Sequence, residues 1–185
     1  MVDRVGVAVL GAGFIAEYHL AGIAAAGGAT VRVLVGRSPE RAGPLAARFG
    51  VPEISTDWRA VLARSDIDAV VICTPDDTPE AMAVAAASAG KAILLQKPMA
   101  GSVAACRRII AAAAHSGVDL QVSFMHRWFP EFRMAQAWLA EGVIGRVHSV
   151  RLRNATPGPD WGDWFFSPAS VAGGVVDQLG VHGID

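Results

Sequence analysis

Hydrophobic and polar positions follow two rhythms along the first two thirds of the chain. Short, unbroken apolar runs are typical of buried parallel strands, and apolar residues three or four positions apart predict helices. The predicted strands are Val5–Leu10, Val31–Val35, Ala69–Cys73, Ala92–Leu95 and Leu120–Phe124. The predicted helices are Ile15–Ala26, Pro39–Phe49, Asp57–Ala63, Pro79–Ala89 and Ser102–His115. Strands that alternate with helices favour an α/β fold with a doubly wound parallel sheet.

The pattern changes after residue 124. The sequence then predicts a helix over Glu131–Glu141 and a half-buried strand over Arg146–Arg153. A long loop rich in Pro, Gly and aromatic residues follows, and a last helix begins within "GGVVDQLGVHGID". One strand and two helices are too few to form a stable layer. We therefore expect a complete domain over residues 1–124 and the incomplete start of an α+β second domain over 125–185.

Composition excludes several classes of function. The 185 residues carry a net charge of −1, so the chain lacks the basic field of a nucleic-acid-binding protein or a polybasic membrane-binding segment. The apolar run near the N-terminus is short and interrupted by glycine, unlike a signal peptide or a membrane span. Cys73 and Cys106 lie in apolar surroundings and form no disulfide framework, so a cytoplasmic location is expected.

The first strand–helix junction carries a phosphate-binding motif. Its sequence "GAGFIA" matches G-x-G-x-x-G/A in the required position between a strand and a helix. Gly11 permits the tight turn, Gly13 allows the backbone to approach a pyrophosphate, and Ala16 allows close helix packing. The helix N-terminus, with Phe14 and Ile15 in its first turn, supplies amide groups and a positive dipole end. A Rossmann-type dinucleotide site is predicted here.

The end of the second strand bears on the choice of dinucleotide. An NAD site needs a carboxylate there for the ribose hydroxyls, but this chain has Gly36, Arg37 and Ser38. A carboxylate would repel a 2′-phosphate by about 4 kcal/mol at ~4 Å in an effective dielectric near ~20. Arg37 and Ser38 can donate to that phosphate, so the loop favours NADP over NAD. The alternatives are that Arg37 stacks on adenine, which suits both dinucleotides, or is simply solvated.

Five segments together resemble one enzyme family. They are "GAGFIA", "CTP", "AGKAILLQKPMA", "HRWFP" and "GGVVDQLGVHGID". In order and spacing they are similar to the Gfo/Idh/MocA oxidoreductases, which include glucose–fructose oxidoreductase and inositol dehydrogenase. The resemblance implies NAD(P)-dependent hydride transfer at a carbinol carbon of a sugar, polyol or related small molecule. The alternative is a catalytically incomplete dinucleotide-binding fragment or a non-catalytic NAD(P)-binding module.

The resemblance also bears on the second domain. Family members continue beyond the equivalent of residue 185 with a large open-faced sheet, which forms much of the substrate pocket and usually the oligomer interface. We therefore expect most of that sheet to be absent here, and the full-length form to be a homo-oligomer.

The resemblance implies catalytic roles for Lys97, His182 and Asp185. The lysine of the "QKP" segment is expected beside the nicotinamide, where its ammonium can orient and polarise a substrate hydroxyl. Gln96 stands where glutamate is commoner and keeps an acceptor without the charge. His182 is the expected general acid/base, because imidazole titrates near neutral pH, and Asp185 shares its helix face. The alternatives are a solvated strand-edge lysine and a histidine that only packs.

Further cofactor contacts follow from the same resemblance. Thr74 and Pro75 match family positions, whereas Asp76 replaces an asparagine and is open to bonding a ribose hydroxyl or capping the next helix. Arg127, in "MHRWFP", is expected to contact cofactor or substrate. Trp161, Trp164 and Phe165 are candidates to line a sugar site or to fill a core, and His19 is expected to pack within its helix. No metal site is expected.

Overall fold

The computed structural model describes residues 4–155, 158, 163–167, 170–171 and 173–185. Its framework is a six-stranded sheet in which every neighbouring pair is parallel. The strands are β1 Val5–Leu10, β2 Ala29–Val35, β3 Glu53–Ser55, β4 Ala69–Ile72, β5 Ala92–Gln96 and β6 Leu120–Ser123. Their order across the sheet is β3-β2-β1-β4-β5-β6. The chain therefore fills the sheet outward from β1 to one edge, and then outward from β4 to the other edge. The predicted Rossmann-type doubly wound sheet is therefore confirmed.

The helices begin and end within about two residues of the predicted bounds. They are α1 Phe14–Ala26, α2 Pro39–Phe49, α3 Trp58–Leu62, α4 Pro79–Ser88, α5 Val103–Ser116, α6 Pro130–Ala140 and α7 Val181–Ile184. The Ser38, Asp57 and Ser102 side chains cap the N-termini of α2, α3 and α5. A 3-10 turn spans Met125–Trp128, a second spans Asp163–Phe166, and a π-helical turn, Val176–Gly180, precedes α7.

Small residues bring the helices close to both faces of the sheet. Ala16 of α1 and Ala42 of α2 are fully buried against one face, while Ala83 and Ala86 of α4 are fully buried against the other. The chain runs from β1 to β3 towards one edge of the sheet, and from β4 to β6 towards the other. Right-handed crossovers in these two directions place the helices on opposite faces. Because all six strands are parallel, their carboxyl ends share one edge of the sheet.

The sequence pattern missed one strand. β3 has three residues and pairs only with β2, at the edge of the sheet. Its sequence, Glu-Ile-Ser, contains no apolar run that would mark a strand. Two of its residues are half-buried and one is exposed. Pairing with β2 determines this strand more than its own composition does.

The predicted strand Arg146–Arg153 is wrong. The described residues of this segment pair with no strand of the sheet, and its apolar side chains Val147, Val150 and Leu152 are exposed rather than half-buried. Alternating hydrophobicity is not sufficient for a strand, because its backbone groups also need a hydrogen-bonding neighbour. The division of the chain at residue 124 stays a prediction.

The α6 helix contributes little to the core. It has no buried residue, and Met134, Trp138 and Leu139 are about half exposed. Together with the exposed segment that follows, they form a broad apolar surface. Within the described part of the chain, no helix combines the length and the hydropathy needed to cross a bilayer.

We predict that the 185-residue chain self-associates through this apolar surface, because water contact with it is unfavourable. Sedimentation velocity at several concentrations should show species larger than a monomer. A Trp138→Glu variant should shift the distribution towards monomer. A wild-type chain that stays monomeric throughout would contradict the prediction.

Candidate active site at the carboxyl edge of the sheet

The turn between β1 and α1 has the geometry that a phosphate group requires. Gly11 has a φ of +112°, and a Cβ on it would lie 2.7 Å from the carbonyl oxygen of Cys73. Gly13 differs, because a Cβ built there meets no atom within 4 Å. As the N-cap of α1, Gly13 also has no side chain to bond the first amide groups of the helix. The exposed backbone at Gly13 is therefore open to an anion at the helix N-terminus.

The end of β2 lies next to this turn. A Cβ on Gly36 would lie 3.1 Å from the Cβ of Ala42 and 3.3 Å from that of Ala12. The Arg37 side chain is exposed and has no ion pair with another described residue. The Ser38 hydroxyl accepts a hydrogen bond from the Arg41 amide at 3.4 Å, which leaves its own proton available for donation.

The loop after β4 lies beside the same turn. The Cys73 thiol donates to the Leu10 carbonyl at 3.4 Å, and burial raises the pKa of this thiol to about 12. Cys73 is therefore an inert packing residue. The Pro75 carbonyl accepts a hydrogen bond from the Thr78 hydroxyl at 2.8 Å, and Thr74 contacts Met82 through its hydroxyl.

Asp76 does not cap α4. The N-cap of that helix is Thr78, while the Asp76 carboxylate accepts a hydrogen bond from the Gln178 amide. Asp76 is only 9% exposed. Burial raises the pKa of its carboxyl to about 6, although the Lys97 charge and the Gln178 hydrogen bond favour the ionised form.

Lys97 lies at the carboxyl end of β5 and faces the turn before α7. Its ammonium donates to the Gln178 carbonyl at 3.1 Å and to the Gln178 side-chain oxygen at 3.0 Å. Burial lowers the pKa of Lys97, and the attraction of Asp76 opposes that shift. This partly buried, hydrogen-bonded lysine is not the solvated strand-edge residue that the sequence left as an alternative.

His182 is buried in α7, with only 8% of its surface exposed. Its Nδ1 atom has no hydrogen-bond partner among the described residues. Burial, the neighbouring His126 and the Lys97 charge lower the pKa of His182 to about 4, so the ring is neutral at pH 7. A buried polar atom without a partner costs about 1–3 kcal/mol. A ligand group that bonds Nδ1 would recover that energy.

Asp185 and Arg127 form an ion pair beside His182. The Arg127 Nε donates to one Asp185 carboxylate oxygen at 2.7 Å, and a second guanidinium nitrogen donates to the other. This hydrogen bonding lowers the pKa of Asp185, and the carboxylate in turn favours the charged form of His182. The structure therefore brings Arg127 into contact with a predicted site residue, although its side chain remains 65% exposed.

Gln96 is paired with a histidine that the sequence assigned only to packing. The side-chain oxygen of Gln96 lies 3.1 Å from the Nε2 of His19. Burial lowers the pKa of His19, so a neutral amide faces a neutral imidazole. A glutamate at position 96 would instead favour the charged form of His19. The glutamine therefore suits a neutral pair between α1 and β5.

The sequence analysis missed two residues of this cluster, Gln178 and His126. Gln178 precedes His182 by four positions, and that spacing on one helix face was an available signal. The His126 ring stacks on His182, with ring centroids 4.0 Å apart and planes inclined by 17°. No local signal identifies His126, because its partner is 56 residues away along the chain.

The proposed sugar-lining aromatic residues are only partly described. Trp161 lies outside the described residues, and so does the side chain of Trp164. Phe165 is half-buried and lies edge-to-face with Phe166. In the described part of the chain, no three His, Cys, Asp or Glu side chains are grouped as a metal site.

Comparison with known proteins supplies the family. The model of the "Oxidoreductase family, NAD-binding Rossmann fold" matches residues 5–124, and that of the "GFO/IDH/MocA C-terminal domain" matches residues 132–185. The chain belongs to the Gfo/Idh/MocA oxidoreductase family. The resemblance seen in the motifs is therefore confirmed, and the first of these domains is an NAD-binding Rossmann fold.

Relatives within the Gfo/Idh/MocA family include enzymes of sugars and polyols. The chain is 30% identical to levoglucosan dehydrogenase of Pseudarthrobacter phenanthrenivorans, over 100% of this chain and 50% of the relative. It is 32% identical to inositol 2-dehydrogenase 2 of Saccharopolyspora erythraea, over 97% of this chain and 51% of the relative. The solved structure of GenD2 from gentamicin A biosynthesis, in complex with NAD, shares 36% identity with a TM-score of 0.93, covering 100% and 52% of the two chains. The chain thus spans about half the length of these relatives.

The two glycines of the turn should respond differently to alanine. Gly11→Ala should lower the free energy of unfolding by about 1–3 kcal/mol, because the new side chain is strained at positive φ and meets the Cys73 carbonyl. Gly13→Ala should change stability by less than about 0.5 kcal/mol, since its Cβ points into open space.

The Gly13→Ala variant should change the affinity for a dinucleotide rather than the stability of the fold. Gly13→Ala should weaken binding by about tenfold or more, equal to ~1.4 kcal/mol or more, because the methyl group fills the approach to the pyrophosphate. Denaturant unfolding and calorimetric titration with NADH and NADPH measure the two effects. Unchanged affinity in Gly13→Ala would show that phosphate does not bind at this turn.

Proposed function

We propose that this chain is the dinucleotide-binding part of an NAD(P)-dependent oxidoreductase, which transfers a hydride between nicotinamide and a carbinol carbon. The substrate class is a sugar, a polyol or a related small molecule. One observation carries the proposal: the Lys97 ammonium and the buried His182 ring lie together at the sheet edge that also bears the phosphate-binding turn. In open parallel sheets, ligands bind at this edge.

The residues at the edge fit a dinucleotide. The turn at Gly11 and Gly13, with Phe14 and Ile15, would hold the pyrophosphate against the α1 N-terminus. When bound, the nicotinamide ring supplies the hydride chemistry. The remaining residues divide between the two ends of the cofactor. Those proposed for the adenosine end are Gly36, Arg37 and Ser38, and those for the nicotinamide end are Thr74, Pro75, Asp76, Gln96, Lys97 and Arg127.

Lys97 is suited to orient a substrate hydroxyl. An ammonium has three protons, and in the described structure two of them are donated to Gln178 acceptors. The third is available for the substrate oxygen. A donor fixed in this way stabilises negative charge as the hydroxyl loses its proton.

His182 is suited to accept that proton. The ring is neutral at pH 7, the form that can accept a proton, although its lowered pKa makes it a weaker base than a free imidazole. Its Nδ1 is buried and has no hydrogen-bond partner among the described residues, so contact with a substrate hydroxyl requires the surrounding side chains to move aside. Asp185 favours the charged ring that forms after proton transfer, and Arg127 holds Asp185 in place.

The proposed cofactor preference is NADP over NAD. The support is the absence of a carboxylate from the Gly36-Arg37-Ser38 loop, together with the exposed guanidinium of Arg37. The GenD2 structure contains NAD, so the two dinucleotides must be compared directly for this chain. We further propose a cytoplasmic protein, consistent with two unpaired cysteines, and a homo-oligomeric full-length form.

A second candidate function is a dinucleotide-binding module without turnover. One observation favours it: among the described residues, α6 has no buried side chain and its apolar surface is uncovered. Spectroscopic assays of sugar and polyol oxidation with both dinucleotides distinguish the candidates. Binding of NADPH without oxidation of any substrate, by the 185-residue chain and by the full-length form alike, would favour the module.

We predict that Lys97→Met in the full-length form lowers kcat by about 100-fold or more, the usual effect of removing a donor to a developing oxyanion. Dinucleotide affinity should change much less. The matched control is Lys91→Met, because Lys91 bonds only backbone carbonyls far from this site. Turnover of Lys97→Met within a few-fold of the wild type would contradict the proposed role.

We predict that Arg37→Ala weakens NADPH binding by about 1–3 kcal/mol, the range for a hydrogen bond to a charged group. NADH affinity should remain nearly unchanged, because NADH has no 2′-phosphate. Calorimetric titration of both dinucleotides measures the selectivity, with Arg32→Ala as the control, since Arg32 is an exposed arginine of β2 five positions before Arg37. Equal NADH and NADPH affinities in the wild type would overturn the proposed preference.

A further inference from the structure

The Gln178 side chain connects the buried Asp76 carboxylate with the partly buried Lys97 ammonium. Its oxygen accepts from the Lys97 ammonium, and its nitrogen donates to the Asp76 carboxylate. Gln178 itself is only 4% exposed, and Asp76 is 9% exposed. Water therefore has little access to either end of this amide.

The chemistry of the two partners determines which way the amide points. An ammonium only donates hydrogen bonds, and an ionised carboxylate only accepts them. The oxygen of Gln178 must therefore face Lys97 while its nitrogen faces Asp76. The opposite orientation would leave a buried ammonium and a buried carboxylate without these hydrogen bonds, at a high energetic cost.

We propose that Gln178 is the positioning residue for Lys97, and that Asp76 acts through it by holding the amide in the orientation that directs its oxygen at the ammonium. Lys97, Gln178 and Asp76 then behave as one unit. The loop after β4, the end of β5 and the turn before α7 are joined by this unit. The functional meaning of the inference rests on the proposed role of Lys97 at the nicotinamide end of the site.

The charges around the unit favour this arrangement. Asp76 attracts the Lys97 ammonium, while burial works against the charged form of both groups. Asp77 and Asp177 oppose ionisation of Asp76, and His182 is neutral at pH 7. Asp76 is thus the carboxylate that stabilises the charged form of Lys97.

Exchange of the amide and the carboxylate tests the unit. Asp76→Asn removes the carboxylate that supports Lys97, and Gln178→Glu places two carboxylates against each other. In the double variant Asp76→Asn/Gln178→Glu, the new asparagine can donate to the new glutamate, which can accept from Lys97. The matched control is Asp77→Asn, since Asp77 is the exposed neighbour of Asp76 and does not bond Gln178.

The chain offers a clean readout, because Lys91 and Lys97 are its two lysines. Acetylation of each amine by acetic anhydride, between pH 7 and 10, gives its reactivity without any dinucleotide. Chymotryptic cleavage at Leu94 or Leu95 separates the two lysines for mass spectrometry. Lys91, which donates to two backbone carbonyls, is an internal standard for the folded state.

We expect Asp76→Asn to increase the acetylation rate of Lys97 at pH 8 by about three- to tenfold. The reason is that loss of an opposite charge lowers a lysine pKa, here by about 0.5–1 unit, and so increases the fraction of unprotonated amine. Lys91 should not change. Gln178→Glu should lower the melting temperature. The double variant should restore both the Lys97 rate and the melting temperature towards wild-type values, whereas Asp77→Asn should alter neither.

Two results would overturn the inference. One is an Asp76→Asn rate for Lys97 equal to that of Asp77→Asn, and the other is a double variant no better than its single parents. If a single variant unfolds, the double variant still decides, because the proposed unit requires it to refold and to protect Lys97. These readouts need no turnover, so a failure here is separate from a failure to oxidise sugars or polyols.

Discussion

The hydrogen bonds from Lys97 to Gln178 hold the π-helical turn before α7 against the carboxyl edge of the sheet. Among the described residues, these are the hydrogen bonds that join Gln178 to the end of β5. The β5 strand directs the lysine outward, and Asp76 extends the connection to the loop after β4. Residues more than 80 positions apart thereby form one cluster. The candidate site depends on this contact more than on any single motif.

The charges in the cluster are arranged so that few of them lie unpaired. Asp76 faces Lys97 through an amide, Arg127 neutralises Asp185, and burial lowers the pKa of His19 and of His182. The unpaired Nδ1 of His182 is the exception among the described residues. Such an atom costs free energy, so its retention in a predominantly apolar framework calls for an explanation.

The phosphate turn shows how the same motif combines two constraints. At Gly11 the restriction comes from the protein itself, since a side chain would collide with the Cys73 carbonyl. At Gly13 the protein leaves open space, so the restriction must come from whatever approaches it. The predicted fold therefore depends on the first glycine, and the predicted dinucleotide site depends on the second.

The amino-acid sequence by itself determined the parallel sheet, the helices that flank it and the phosphate turn, because each of these follows from neighbouring residues and short periods. It failed at Glu53–Ser55, whose pairing is supplied by β2, and at Arg146–Arg153, whose alternation has no partner strand. Lys97 was predicted from its strand end, but only the tertiary structure decided that Gln178 bonds it, that Asp76 bonds Gln178, and that His126 stacks on His182. The reason is physical: local pattern specifies secondary structure, whereas burial, pKa and hydrogen-bond partners depend on residues that only folding brings together.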